Sequence, residues 1–256
     1  MKPSYQNLCT EFYDLTKPEA GPKEVAFYRD LLKATKGPFL EAMCGSGRLL
    51  IPLLRTGLVI DGVDNSAHML KSCRQRCENQ HLHVKLLNQP LQDLTLSQKY
   101  SLIFIAIGSF QLIKDRIEAL RILKNLRQNL LPGGKLIIET FIPWDGIKEG
   151  IRESILADQS DPIISERTIQ SPDGFEMINR STVTLYFKEQ LEMHQTHYEK
   201  RGHGELLLTE EEEYAVRWYY RHEMELFLEK AGFSSIEIKD ESFEQTPQAT
   251  IYIAYS

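Results

Sequence analysis

Apolar positions recur along the first half of the chain in two alternating rhythms. Over residues 22–34 they fall at Val25, Tyr28, Leu31 and Leu32, the spacing of a helix, and Gly37-Pro38 closes the run. Residues 39–43 form a short, mainly apolar run that leads into Cys44-Gly45-Ser46-Gly47 and then Arg48-Leu49-Leu50-Ile51, which predicts strand, glycine turn and helix. A second strand is predicted over residues 59–63, ending at Asp64. Ser66 then caps a helix whose apolar face carries Met69, Leu70, Cys73 and Cys77. Residues 84–87 and 102–107 read as the third and fourth strands, the latter almost wholly apolar and so buried on both faces. Asp115 opens a helix with Ile117, Leu120, Leu123, Leu126 and Leu130 inward. Pro132-Gly133-Gly134 stops it, and residues 136–138 make a fifth strand. Strands alternating with helices at this spacing predict βαβ units and a parallel sheet.

The period then drops to about two. From about residue 162 to residue 220, apolar and polar positions alternate, as in Val183, Leu185 and Phe187 against Thr182, Thr184 and Tyr186. Pro172-Asp173-Gly174 and Arg201-Gly202-His203-Gly204 read as turns between antiparallel strands, and Glu210 to Glu213 as a solvated turn. Helical spacing returns over residues 221–231, with Met224, Phe227, Leu228 and Ala231 inward and Gly232 as the stop. Two closing strands are predicted near 236–238 and 250–255. The expected fold is a doubly wound, Rossmann-like α/β domain with a mostly parallel seven-stranded sheet and an antiparallel β insertion after the fifth strand. Residues 1–37 would be an N-terminal helical lid segment. Residues 38–142 and 221–256 would form the α/β domain, and residues 143–220 its antiparallel insertion.

The chain of 256 residues is long enough for one such domain with its insertion. Thirty basic residues against thirty-six acidic give a net charge of −6, so a phosphate-backbone partner is not expected. No apolar run suggests a membrane span, and the first ten residues lack the basic start and apolar core of a secretory signal, so a cytoplasmic location is expected. Cys9, Cys44, Cys73 and Cys77 match no common zinc spacing and are expected as reduced thiols, with no metal. His194 and His197 fall on opposite faces of one strand, which makes them a poor metal pair.

The chemistry concentrates at Glu41-Ala42-Met43-Cys44-Gly45-Ser46-Gly47-Arg48. A glycine turn after the first strand of an open α/β sheet lets a ligand approach the backbone at the carboxyl ends of the strands. Asp64, ending the second strand, can accept both hydroxyl protons of a ribose. A dinucleotide site would have glycine where Leu50 stands, which disfavours a nicotinamide oxidoreductase. At this point the chain resembles the class I S-adenosylmethionine-dependent methyltransferases. Their first motif, E/D-x-G-x-G-x-G, is matched by LEAMCGSGRLL, with Met43 in place of the first glycine. GVDNSAHML resembles their second motif and LLPGGKLIIE a later turn and strand, and the resemblance resumes at LFLEKAGF.

The resemblance implies S-adenosylmethionine as cofactor, with S-adenosylhomocysteine as product. It implies contacts from Glu41, Cys44, Gly45, Gly47, Arg48, Asp64 as ribose ligand, Asn65, Met69 against the adenine, and Gly108 near the methyl group. The adenine amino group would be met by Asp93, or Leu91 would supply backbone and packing alone. No universal catalytic residue exists in such enzymes. Tyr13, Ser109 and Tyr219 are candidates here, and Tyr5, Phe110, Arg217 and Tyr219 are candidate acceptor contacts. Phe110 reads equally well as core, and Arg217 as a salt bridge to the Glu210–Glu213 run. The absence of an N/D-P-P-Y/F motif after the fourth strand argues against a nucleobase amine as acceptor. The expected reaction is methyl transfer to nitrogen or oxygen of a small molecule. A protein side-chain methyltransferase and a non-catalytic nucleoside-binding module are the alternatives. The sequence leaves the oligomeric state open.

Overall fold

The computed structural model describes residues 5–144, 147 and 158–256. In chain order the helices are α1 (Asn7–Thr16), α2 (Pro22–Lys33), α3 (Leu50–Leu54), α4 (Ala67–Glu78), α5 (Arg116–Gln128) and α6 (Arg221–Ala231). The strands are β1 (Phe39–Ala42), β2 (Ile60–Asp64), β3 (Leu86–Asn88), β4 (Tyr100–Ile105), β5 (Leu130–Thr140), β6 (Ile163–Gln170), β7 (Glu176–Tyr186), β8 (Leu191–Gly202), β9 (Glu205–Arg217), β10 (Ser235–Glu241) and β11 (Ala249–Tyr255). They divide into two compact units. One comprises Glu19–Ile142 with Tyr219–Ser256, the other Met1–Pro18 with Pro143–Trp218. The N-terminal stretch read from sequence as a single lid is therefore shared, α1 lying in the second unit and α2 in the first.

The first unit holds a seven-stranded sheet in the order β10-β11-β5-β4-β1-β2-β3. Pairing is parallel from β3 through β5. β11 runs antiparallel to both β5 and β10. The central strands read as apolar runs because both faces are covered. One face packs Leu40, Ala42, Ile103, Ile105, Leu136 and Ile138 against α5 and α6, and the other packs Phe39, Leu102, Phe104 and Ile137 with α2, α3 and α4. The order of strands reverses at β1, with β2 and β3 added on one side and β4 and β5 on the other, and in such sheets the switch point opens a crevice at the carboxyl ends of the strands.

Local signals set the helix ends. Ser66 Oγ accepts the Met69 N–H, Asp115 accepts the Glu118 N–H, and Gly232 takes the left-handed conformation after α6. Three expectations shift. Ile117 lies in the first turn of α5 and is 82% exposed, while Ala119 and Ile122 take the inward positions with Leu123 and Leu126. Leu130 belongs to β5, and Pro132-Gly133-Gly134 is a bulge within that strand's span, where its register on β4 jumps. β2 begins at Ile60, after an exposed Val59.

The second unit is a four-stranded antiparallel meander, β6-β7-β8-β9, with α1 on one face. The two expected turns join β6 to β7 and β8 to β9. The Glu210–Glu213 run is no turn. It lies inside β9, where alternation buries Glu212 and exposes Glu211 and Glu213.

Candidate functional site

The site grows from the first βα connection. β1 and β2 pair in register up to Ala42 and Val63, which brings the chain after Ala42 beside Asp64. Met43 and Gly45 both take positive φ, 58° and 53°, turning the backbone sharply out of the strand. Met43 stands where the resembling families have glycine, so a side chain bears a conformation that glycine adopts without strain. The Gly45 N–H donates to Asp64 Oδ2 at 2.9 Å and the Ser66 N–H to Asp64 Oδ1 at 2.8 Å. These bonds aim the half-buried carboxylate at the turn. Burial raises its pKa, and the amides of Ser66, Gly45 and Asn65 oppose that rise.

Glu41 lies one step deeper, on β1. It is 4% exposed, and its Oε2 has no hydrogen-bond partner among the described residues. Burial pushes its carboxyl well up, with the nearby Arg48 charge acting against it. Met69 is buried, with its Sδ 3.9 Å from where a Cβ on Gly45 would stand. Met43, Gly45 and Asp64 are half-buried and Asn65 exposed, so the turn presents backbone and carboxylate to solvent around a closed floor.

Other sequence-singled residues take different places. Arg48 is 3% exposed and forms a bidentate pair with Glu24 of α2, with a further bond from Nη1 to Gln245 Oε1 at 3.0 Å. Gly47, at φ 86°, faces protein: a Cβ there would stand 2.8 Å from Cys73 Sγ and 3.0 Å from Ile51. Cys44 is buried in the cluster that includes Leu50 and Cys73. Leu91 is core, and its carbonyl accepts from Asn125. Asp93 is exposed in the 3-10 turn Leu91–Asp93.

After β4, Ile107 and Gly108 take positive φ in succession, 49° and 68°. For a β-branched residue such as Ile107 this is an outlier, of the kind that gathers at functional sites. A Cβ on Gly108 would stand 2.4 Å from the Phe141 ring and 2.7 Å from Gln111 Oε1, so protein fills that space. Ser109 opens a 3-10 turn and is half-buried. Phe110 and Tyr219 are both core residues with ring centroids 5.9 Å apart.

Arg217 ends β9, buried, and donates to the Glu189 carbonyl at 2.7 Å. Tyr219 lies beyond that strand. Tyr5 and Tyr13 lie together in the second unit, 6.1 Å apart. Among the described residues no group of three or more His, Cys, Asp or Glu side chains could hold a metal, and no helix is long and apolar enough to cross a membrane.

One buried group went unread in the sequence. Glu139, on β5, is fully buried and accepts from Tyr28 Oη at 3.2 Å, from Thr246 Oγ1 at 2.6 Å and from the Ile107 amide. Burial and the neighbouring Glu24 raise its pKa. Its carboxylate thus holds the strained turn after β4. The available signal was a lone acid in the apolar run Leu136-Ile137-Ile138-Glu139.

Residues 39–134 match the family described as a methyltransferase domain. A ubiquinone biosynthesis O-methyltransferase of Coxiella burnetii is 30% identical over 101 residues, which is 40% of this chain and 42% of that protein. The chain therefore spans less than half the length of that curated relative. Two solved structures share the fold across nearly the whole chain. An S-adenosylmethionine-dependent methyltransferase from Clostridium acetobutylicum superposes with a TM-score of 0.70 at 18% identity, covering 96% of each chain. The sugar N-methyltransferase from a Streptoalloteichus species gives 0.72 at 14% identity, covering 99% of this chain and 95% of its own. The match to a methyltransferase domain is confined to residues 39–134, and the fold across nearly the whole chain is like that of the solved S-adenosylmethionine-dependent methyltransferases.

Proposed function

We propose that the protein transfers a methyl group from S-adenosylmethionine to nitrogen or oxygen of a small-molecule acceptor and releases S-adenosylhomocysteine. The observation that carries this reading is Asp64, held by two amides at the edge of the glycine turn. A carboxylate has about four acceptor positions; the amides of Gly45, Ser66 and Asn65 take up to three, and the remainder would accept from the ribose. The residues present fit the cofactor in two further respects. The buried, partnerless Oε2 of Glu41 would accept from the ammonium of its methionine portion. The left-handed backbone at Gly45 leaves room for close approach.

The cofactor supplies the activated methyl. When bound, it would make that methyl available for in-line transfer to the acceptor, whose proton would leave to solvent or a nearby base. The chain's part is alignment and exclusion of water. The strained Ile107-Gly108 turn, fixed by Glu139, and the half-buried Ser109 after it are the candidates for that wall. A small acceptor is supported by the names of the relatives, an O-methyltransferase of ubiquinone biosynthesis and a sugar N-methyltransferase. Calorimetric titration with S-adenosylmethionine and S-adenosylhomocysteine tests the cofactor, followed by a screen of small amines and hydroxyl compounds for methylation. A folded protein that binds neither nucleoside overturns the reading.

A further inference from the structure

The glycine turn after β1 and the Ile107-Gly108 turn after β4 lie on different connections, and one frame holds both. On α2, Glu24 and Tyr28 stand one helical turn apart and so share a face. Glu24 pairs with Arg48, which follows the glycine turn. The Tyr28 hydroxyl donates to Glu139, which also accepts the Ile107 amide. The connection between β10 and β11 repeats this reach with consecutive residues. Gln245 Oε1 accepts from Arg48 at 3.0 Å, and Thr246 Oγ1 donates to Glu139 at 2.6 Å. Arg48 and Glu139 are thus each held twice, by the same two elements.

Those two elements are also fastened to each other. Glu244 Oε1 accepts the Lys23 amide at 3.1 Å in the first turn of α2, Gln245 Nε2 donates to the Glu19 carbonyl at 3.1 Å, and the Phe27 and Phe243 rings lie 5.4 Å apart. The Ala20 amide donates to the Arg48 carbonyl at 2.9 Å. Glu24, Tyr28, Arg48, Glu139 and Thr246 are all buried. A polar group inside the protein that loses its partner cannot turn to water, so these bonds fix the geometry of what they hold. Following the Ile107 turn, the Gln111 side chain exchanges two bonds of 2.9 Å with the Phe141 backbone. Glu139 and Phe141, two residues apart, therefore both grip the segment after β4.

We propose that Tyr28 and Thr246 are positioning residues for methyl transfer: through Glu139 they set the Ile107-Gly108 turn against the methyl group, at a spacing from the glycine turn that α2 fixes. This rests on the cofactor reading above. The consequence is specific. S-adenosylmethionine and S-adenosylhomocysteine differ only in the methyl and the sulfonium charge it creates. A displaced Ile107-Gly108 turn is therefore felt by the first alone, and a displaced glycine turn by both.

The test is calorimetric titration of the full chain with both nucleosides, beside the NMR signal of the Ile107 amide. Tyr28→Phe combined with Thr246→Val removes both hydroxyls and keeps the side-chain shapes. The Ile107 signal of this double variant should move, its S-adenosylhomocysteine affinity should stay within about twofold of wild type, and its S-adenosylmethionine affinity should fall about fivefold or more. Restoring one hydroxyl, as Tyr28→Phe with Thr246→Ser, should recover part of that loss. Gln245→Leu, which loosens Arg48, should weaken both nucleosides alike. An unchanged ratio of the two affinities in a folded double variant, or the same change of ratio in Gln245→Leu, would overturn the proposal. Wild-type protein that binds neither nucleoside overturns the cofactor reading itself, and the proposal with it.

Discussion

Arg48 Nη1 and Nη2 reach Glu24 Oε2 and Oε1 at 2.8 and 2.5 Å, with side chains only 4% and 1% exposed. The pair ties α2 to the residue that follows the glycine turn, so the turn's position depends on a helix that precedes the first strand. Removing one partner leaves a buried charge uncompensated. Glu24→Ala should destabilise the protein by about 3–5 kcal/mol, whereas replacing both residues with apolar side chains of similar volume should cost far less. Urea unfolding of the single and double variants checks this. Equal losses in the two would show that packing, not the orphaned charge, sets the cost.

Gly47 and Gly57 have nearly the same backbone, φ 86° and 83°, in different surroundings. A Cβ on Gly57 meets nothing within 4 Å, and one on Gly47 meets Cys73 and Ile51 at 3.0 Å or less. Alanine at position 57 should cost only the left-handed penalty, about 1–2 kcal/mol. Alanine at 47 should cost a further 1–3 kcal/mol, roughly, from overpacking. The difference in unfolding free energy between the two variants isolates the packing contribution. No difference would mean that Cys73 and Ile51 yield freely.

The same contrast explains what the sequence could carry. Periodicity and punctuation are local, so Ser66 as cap, Gly232 as stop and the turns around Gly174 and Gly204 were legible. The glycine turn with Asp64 was legible because it spans two consecutive strands. Partners far along the chain were not. Arg48 entered as a cofactor contact through the resemblance, and nothing local announces its partners Glu24 from another helix and Gln245 near the C-terminus. Glu139 was missed for the same reason: its partners Tyr28 and Thr246 are each more than a hundred residues away. The Glu210–Glu213 run misled because composition says solvent. Alternation along β9 assigns each glutamate a face, and α1 covers one of them.

Glu139 should give the protein an unusual pH response. Its folded-state pKa lies above the ordinary carboxyl value of 4.5 because burial and Glu24 disfavour its charge. A raised carboxyl is penalised in the folded state at any pH above its folded value. That penalty relaxes as pH falls through the folded value and vanishes below 4.5, where both states hold the proton. Glu139→Gln removes the titration. The stability of the variant relative to wild type should therefore rise with pH and level off below 4.5. Denaturant midpoints across this range test it, and a constant offset would locate the shift elsewhere.

Asp64 decides whether the turn is a nucleoside site. Its two oxygens already accept from Gly45 and Ser66, so the carboxylate is oriented before any ligand arrives, and an incoming ribose need order only its own hydroxyls. Asp64→Asn preserves size but replaces one acceptor oxygen with a donor and removes the charge. Hydrogen bonds to a charged group contribute about 1.5–3 kcal/mol each, so S-adenosylhomocysteine affinity should fall by roughly ten- to a hundredfold. The amide also faces the N–H it replaces, and the turn itself should loosen. Unfolding midpoints must therefore be measured beside the calorimetry. A folded Asn variant that binds as tightly as wild type would remove Asp64 from the ribose and leave the glycine turn as a structural connection only.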